Sequence, residues 1–518
     1  MTAPPTSPPH SAISDLLIVG GGINGAGVAR DAAGRGLSVI LCEKDDLASH
    51  TSSASTKLIH GGLRYLEHYE FGLVRKALLE REVLLRSAPH IIWPLRFVMA
   101  HEPAMRPAWL IRLGIFLYDH LARREVLPGS ESIRLHEHPA GAPLRPEFQR
   151  GFVYSDGWVD DARLVVLNAR DAADHGARVL TRTRCVQAQR DGTLWRATLE
   201  TADGRREEVV ARALVNAAGP WAGTFLRDGV REAAQRGLRL IKGSHIVVPK
   251  MFDHEMAYIF QCADKRIVFA IPYEDDFTLV GTTDVEYRGD PGAATISADE
   301  VAYLCAMTEH YFARPLTPKD VVWSYSGVRP LLDDESGDPS AITRDYTLEL
   351  DDNGAPLLSI WGGKITTFRR LGEEALDLLL PALGERRPPW THGAPLPGGD
   401  LSEVVGPPGR PDLDIARFTR TMTERFPFLS PALVRRYVRC YGSLMSRLLD
   451  GVTRLADMGE EVAPGLFEAE LRYLVEHEWA QTSDDVLWRR TKVGLHTTQA
   501  QRDAVHAWMQ AHTRAAQP

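Results

Sequence analysis

Four glycines and one acid near the start of the chain are spaced for binding a dinucleotide. Gly20, Gly22, Gly25 and Gly27 follow a short apolar run, Leu16 to Val19. Gly20 lets the chain turn sharply from strand to helix. Gly22 has no Cβ, so backbone can approach a pyrophosphate. Asn24 sits inside the turn, and Gly25 and Gly27 let helix and sheet pack closely. The first N–H groups of the helix then face the phosphates. Glu43 lies about twenty residues further on, where it can accept hydrogen bonds from a ribose diol. This pattern does not by itself separate FAD from NAD.

The elements that must hold these residues follow from the same stretch. Asp15 to Leu47 reads as strand, tight turn, helix and second strand, with Gly34 and Gly36 ending the helix. Next come the hydroxyls Ser52, Ser53, Ser55 and Thr56, then Lys57 and a break at Gly61-Gly62. Helical spacing runs from Phe71 to Leu85. Between Trp93 and Leu127, the stretch Ala108 to Ala122 carries few polar groups and is flanked or interrupted by Arg106, Arg112, Arg123 and Arg124. It is too short to span a bilayer. Aromatics beside arginines suit a helix lying in a membrane interface, although composition alone favours a core helix with capping charges.

A second α/β portion follows. Phe152 to Tyr154 reads as a strand, and Asp160-Asp161 open a helix that Gly176 ends. Arg178 to Thr183 is a strand, and Asp191-Gly192 suits a hairpin turn before Trp195 to Leu199. An apolar strand from Ala213 ends in Asn-Ala-Ala-Gly, making Gly219 a second point where backbone can approach a nucleotide. From Leu238 to about Leu350, short β-like runs alternate with turns, predicting an antiparallel platform with a helix near Ser297 to Tyr311. Trp361-Gly-Gly-Lys-Ile-Thr-Thr then leads into a helix ending at Leu383. Arg387 to Arg410, rich in proline and glycine, reads as a linker. Leu413 to Thr513 is helical in pattern.

Length and composition set bounds on this reading. A chain of 518 residues exceeds one hydrophobic core and predicts two or three domains. Its net charge of −8 argues against general nucleic-acid binding. The five cysteines are scattered without a CxxC pair, which predicts reduced thiols and no metal site. Cys42, ending an apolar strand, reads as a small core residue. Met1 to Ser14 lacks a charged and apolar leader pattern, and its prolines predict a disordered tail over residues 1–13. No apolar run is long enough for a spanning helix.

The segments TSSASTKLIHGGLRYLEHYEFGLV, LIKGSHIVVP, GTTDVEY, WSYSGVRPL and AITRDYTLEL resemble the FAD-dependent glycerol-3-phosphate dehydrogenases of the bacterial aerobic respiratory type. The resemblance runs from about Asp15 into the C-terminal domain. It implies an α/β plus α fold of the D-amino-acid-oxidase-like flavoprotein kind. A Rossmann-like FAD domain would be built from residues 14–90, 150–237 and 351–386, a substrate domain from 91–149 and 238–350, and an α-helical cap from 401–518. It implies FAD and oxidation of sn-glycerol 3-phosphate to dihydroxyacetone phosphate; no cysteine or histidine spacing demands a covalent flavin link, so the FAD is expected to be held noncovalently. Electrons would pass to a respiratory quinone at an anionic membrane surface, on the cytoplasmic face of the inner membrane, by an enzyme that is a homodimer. The rival readings are an oxygen-using glycerol-3-phosphate oxidase, an amine or amino-acid oxidase of the same superfamily, and a flavin-binding scaffold without catalysis.

Site residues carry over on the matching motifs. Arg64, Arg329 and Arg344, with Tyr65 beside Arg64, would line the substrate site, and Arg329 would also be catalytic, since an arginine-polarised alkoxide needs a weaker base. Arginine suits a phosphate dianion because its planar fork bonds two oxygens at once. His245, opening a β-run after Gly-Ser, is the candidate base for the C2 hydroxyl, with His60 as the alternative. Ser55, Thr56, Lys57 and Ile59 resemble the loop that meets the flavin ring, although a serine is expected where Thr56 stands. Gly363, Lys364 and Thr366 sit in a turn before a helix, where N–H groups and an ammonium would stabilise negative charge on the flavin.

Overall fold

The computed structural model describes residues 13–102, 105–232, 237–262, 264, 266–332 and 345–513. Arg344 and most of the N-terminal tail, expected to be disordered, lie outside the described residues.

The first sheet grows from the apolar runs. Leu357–Trp361, Arg206–Asn216, Ser14–Val19, Val39–Cys42 and Arg178–Leu180 lie side by side in that order, all parallel. Leu16, Leu17, Ile18 and Leu41 are wholly buried. Such strands are apolar throughout because both faces are covered. One face carries the helices Ile23–Gly34, Asp161–Asp174 and Phe368–Leu379. The other face packs on the hairpin Thr183–Asp191 and Leu194–Thr201, whose Trp195 is wholly buried. Gly192 makes the hairpin turn with φ +64°. Cys42 is a buried core residue, as the sequence predicts.

The second sheet is mixed and larger. Its main path runs Val285–Glu286, Leu238–Pro249, Phe277–Gly281, Ile267–Tyr273, Ala257–Gln261, Ile92–Ala100, Arg150–Val159 and Leu58–Ile59. Trp323–Leu332 pairs with Leu238–Pro249 along ten residue pairs. The helix Ala298–Tyr311 packs against it, and Ser297 caps that helix through a capping box with Glu300.

Three stretches depart from the sequence expectation. Leu58–Ile59, expected in the FAD domain, pairs with Trp158 and Gly157 in the second sheet. Arg150–Val159 belongs to the second sheet, where it pairs residue by residue with Ile92–Ala100; only from Asp161 does the chain return to the first sheet. Thr347–Asp351, expected in the platform, instead forms the antiparallel edge of the first sheet beside Leu357–Trp361. Local patterning cannot say which sheet a strand joins: Arg150–Val159 is buried almost throughout, as a strand inside either sheet would be, and Thr347–Asp351 is an edge strand that either sheet could take.

The C-terminal helices, including Pro411–Arg425, Pro431–Tyr441, Glu468–Glu478 and Gln499–Thr513, enclose a separate core around Phe418, Tyr437, Tyr441 and Leu474. The proline-rich connection before them is not a loose linker. Trp390 Nε1 donates to the Asp31 carbonyl at 3.2 Å, and its ring fills the space left by Gly34. Thr391 is buried and hydrogen-bonded to Glu373.

Candidate cofactor and substrate site

The glycine turn is shaped for close approach. Gly20 has φ +114°, and a Cβ there would lie 2.4 Å from the Ala217 carbonyl oxygen. A Cβ on Gly25 would lie 1.9 Å from the Gly20 oxygen, so Gly25 packs the helix onto the turn and does not line the cavity. Above the turn is a cavity of about 400 Å³ lined by Gly20, Gly22, Asn24, Glu43, Gly219 and Gly363. At its far wall the Trp221 ring contacts His50 at 4.7 Å and lies under the Lys44 ammonium at 4.5 Å. Glu43 accepts from the Gly21 N–H at 2.7 Å and the Asp45 N–H at 2.9 Å. Burial raises its pKa above the ordinary carboxylate value, and those backbone N–H groups pull it back. Asn24 donates to the Gly362 carbonyl at 3.1 Å and ties the first glycine turn to the second, while its buried Oδ1 has no partner. A glycine cradle at a helix N-terminus suits an FAD pyrophosphate, and acceptor oxygens, the unpartnered Asn24 Oδ1 and the acid at the strand end, suit hydroxyl donors of its sugar portions.

A second cavity of about 280 Å³ continues from the first, sharing Ile23, Thr51, Ser52, Pro330, Gly362 and Gly363. Ser55, Thr56, His60, Arg64, Tyr65, Thr282, Asp284, Arg329, Lys364 and Thr366 line it. The hydroxyl loop is fixed from behind. Ser55 Oγ donates to Asp161 at 2.7 Å, Lys57 pairs with Asp161 at 2.6 Å, and Thr51 Oγ1 donates to the Val328 carbonyl at 2.7 Å. Lys57 and Ile59, expected to touch the flavin, line neither cavity. Lys57 is spent on a buried ion pair, and Ile59 is wholly buried in the short strand Leu58–Ile59. Ser55, Thr56, Gly363, Lys364 and Thr366 do face the cavity.

The substrate end brings together residues far apart in sequence. The Gly61-Gly62 turn presents Arg64 and Tyr65. Gly62 has φ +80°, and the Gly61 N–H donates to Tyr118 Oη at 2.8 Å. Tyr118 in turn donates to Asp156, which a buried Arg81 neutralises at 2.6 Å. Arg329 enters from Trp323–Leu332 and pairs with Asp284 at 2.5 Å. Lys364 places its ammonium 3.8 Å from the centre of the Tyr65 ring. Asp284 has no role in the sequence reading of GTTDVEY; the Arg–Asp pair joins the strand Trp323–Leu332 to the connection between Phe277–Gly281 and Val285–Glu286, a meeting that no local pattern shows. Tyr118, read as part of an apolar helix, was missed for the same reason.

The two histidines part company. His60 lies on the cavity wall, and its N–H donates to Thr366 Oγ1 at 3.2 Å. His245 is wholly buried, stacked on Tyr325 at 4.8 Å, with Nε2 3.0 Å from Thr56 Oγ1. Its ring occupies the space left by Gly281, where a Cβ would lie 2.1 Å from Cδ2. Burial, reinforced by Arg329 and Lys57, holds its pKa well below 6.5, so it is neutral at neutral pH. The expectation that His245 reaches the reacting atoms does not match this placement. It supports Thr56, which itself lines the cavity.

The family pattern of FAD dependent oxidoreductases matches residues 15–369, and that of the C-terminal domain of alpha-glycerophosphate oxidase matches residues 390–515. Fold, glycine cradle and two-part cavity therefore define an FAD-dependent oxidoreductase. Over 507 residues the chain is 54% identical to glycerol-3-phosphate dehydrogenase of Pseudomonas aeruginosa, covering 98% of this chain and 96% of that protein. It is 52% identical over 503 residues to aerobic glycerol-3-phosphate dehydrogenase of Escherichia coli K12, covering 96% and 98%. The X-ray structure of glycerol-3-phosphate dehydrogenase from Bacillus halodurans complexed with FAD superposes with a TM-score of 0.78 at 28% identity, over 97% of this chain and 91% of that one. The chain belongs to the glycerol-3-phosphate dehydrogenase family, and its cofactor is FAD.

Proposed function

We propose that this protein oxidises sn-glycerol 3-phosphate to dihydroxyacetone phosphate and passes the electrons to a respiratory quinone. The observation that carries the reading is the placement of Arg64 and Arg329 at the end of a cavity that begins at the dinucleotide turn. FAD, held noncovalently along the glycine turn and the second cavity, would supply the two-electron acceptor for the C2 hydride. The chain's own residues do the rest. Arg64 and Arg329 hold the phosphate dianion, each charge-assisted hydrogen bond contributing about 1.5–3 kcal/mol. Asp284 keeps the Arg329 guanidinium in place. His60 accepts the C2 hydroxyl proton, because it is the candidate histidine on the cavity wall. Thr366 fixes the His60 backbone, and neutral His245 fixes Thr56. Lys364 supplies positive charge where the reduced cofactor is anionic.

The acceptor reading draws on the kinship with an aerobic relative and on one helix face. Along Ala108–His120, Trp109 is 69% exposed and Leu113, Phe116 and Leu117 are exposed as well. Tyr69, 80% exposed, lies on a neighbouring segment joined to this one by the Arg106–Glu67 pair. Among the described residues no helix is long and apolar enough to cross a membrane. An exposed apolar face flanked by arginines fits the interface of an anionic bilayer. The same helix packs on Leu63–His68, which carries Arg64, so the membrane-facing side adjoins the substrate end. Anaerobic mixing with glycerol 3-phosphate should bleach the bound flavin, and a quinone should restore it. Bleaching with reoxidation by oxygen alone would make the enzyme an oxidase; no bleaching would end the reading.

A further inference from the structure

The segment Asp485–His496 of the C-terminal domain reaches the cofactor loop from the side opposite the cavity. In that loop Glu43, Lys44, Ala48, Ser49 and His50 line the cavity. Asp46 points the other way and is 2% exposed. Arg490, wholly buried, bonds both its oxygens at 2.5 and 2.8 Å, and Arg489 adds a third bond at 2.7 Å. The Arg490 guanidinium is itself held by the Glu478 carbonyl at 2.6 Å. Two residues on, Lys492 bonds Asp160 at 3.1 Å. Asp160 caps the helix whose first residue, Asp161, holds Ser55 and Lys57 of the hydroxyl loop. Trp488, on the same segment, stacks on Trp323 at 4.6 Å, in the strand that carries Arg329.

The loop is therefore gripped between the cofactor cavity and a clamp from another domain. A second observation agrees. Ala48 has φ +58° and Lys492 φ +64°, a left-handed backbone that non-glycine residues keep only where their surroundings over-determine it. Ala48 lines the cavity two residues after Asp46. Releasing Asp46 removes the anchor that holds this conformation, and the wall of the adenosine half of the cavity relaxes.

We propose that Arg490 and Arg489 are positioning residues for FAD: through Asp46, the C-terminal domain sets the shape of the cofactor loop and hence the retention of the cofactor. The inference rests on FAD binding alone and not on the choice of substrate. The test is the rate at which FAD leaves the purified holoenzyme, read from the rise in flavin fluorescence, for Asp46→Asn, Arg489→Gln and Arg490→Gln. At least tenfold faster release is expected for Asp46→Asn and Arg490→Gln, with the KM for glycerol 3-phosphate of the FAD-loaded fraction unchanged. Breaking one partner of a buried pair leaves a charge uncompensated, so the double variant Asp46→Asn, Arg490→Gln should release FAD no faster than the worse single variant. If Arg490→Gln does not fold, Asp46→Asn and Arg489→Gln carry the test, since Arg489 sits at the more open edge of the clamp. Release within twofold of the parent in folded variants overturns the proposal. So does a lowered melting temperature with unchanged FAD release, which would make the clamp a domain contact only.

Discussion

Replacing Arg329 by alanine perturbs the substrate end at a calculable cost. In the proposed site the variant would lose the guanidinium's bonds to the phosphate, about 1.5–3 kcal/mol. It also leaves Asp284, its partner at 2.5 Å, facing a dianion without compensation. Like charges about 4 Å apart cost about 1 kcal/mol in water and more in a partly closed cavity. The sum is about 2.5–4 kcal/mol, or roughly seventyfold to a thousandfold in kcat/KM. Dye reduction under steady-state conditions, with flavin content measured on the same sample, reads this directly. Flavin content should hold, because Arg329 lines only the second cavity, away from the glycine turn. Adding Asp284→Asn to Arg329→Ala should recover the repulsive part, roughly fivefold for about 1 kcal/mol. A kcat/KM within threefold of the parent, with flavin intact, would remove Arg329 from the phosphate site.

Two further outcomes follow from the geometry. Trp109→Glu with Phe116→Glu withdraws two exposed aromatics from the proposed membrane face; at about 1.5 kcal/mol each, binding to anionic vesicles should weaken roughly a hundredfold. Cosedimentation unchanged from the parent would contradict the assignment of that face. His90 is wholly buried with neither ring nitrogen partnered, and burial, with Arg163 and Arg439 nearby, lowers its pKa to about 3. The unfolded chain binds that proton near pH 6.5, so between about pH 6.5 and 3 the unfolded state holds more protons and stability falls as pH drops. At pH 4.5 this amounts to about 3 kcal/mol, which His90→Leu should remove. Denaturant unfolding at pH 7 and 4.5 measures it, and an unchanged difference between the two pH values would refute it.

The dinucleotide half of the site was legible because its residues are local. Strand, glycine turn, helix and acid span fewer than thirty residues, Gly20 to Glu43 included, and each glycine answers a backbone demand visible in the pattern. The capped helix after Ser297 and the Gly192 hairpin were legible for the same reason. The substrate half was legible only through motif resemblance. It put Arg64 and Arg329 in the cavity, but it could not separate a histidine on the wall from one behind it. His245 and His60 differ in burial, and burial is decided by the strands Phe277–Gly281 and Trp323–Leu332 that flank His245. Lys57 misled for a related reason. A lysine in a hydroxyl-rich loop suits an anionic cofactor, yet Asp161, more than a hundred residues on, claims it. Nor could the proline-rich connection before the C-terminal helices reveal that Trp390 is seated on Gly34.

The central claim is that the FAD held by Gly20, Gly22 and Glu43 is reduced by a phosphate-bearing polyol seated on Arg64 and Arg329. Anaerobic titration of the purified holoenzyme with sn-glycerol 3-phosphate, followed at the flavin absorbance maximum, measures it most directly. The account predicts bleaching by glycerol 3-phosphate, none by glycerol, sarcosine or a D-amino acid at the same concentration, and recovery of the oxidised spectrum on adding a quinone. A flavin that dithionite bleaches but glycerol 3-phosphate leaves oxidised would contradict it.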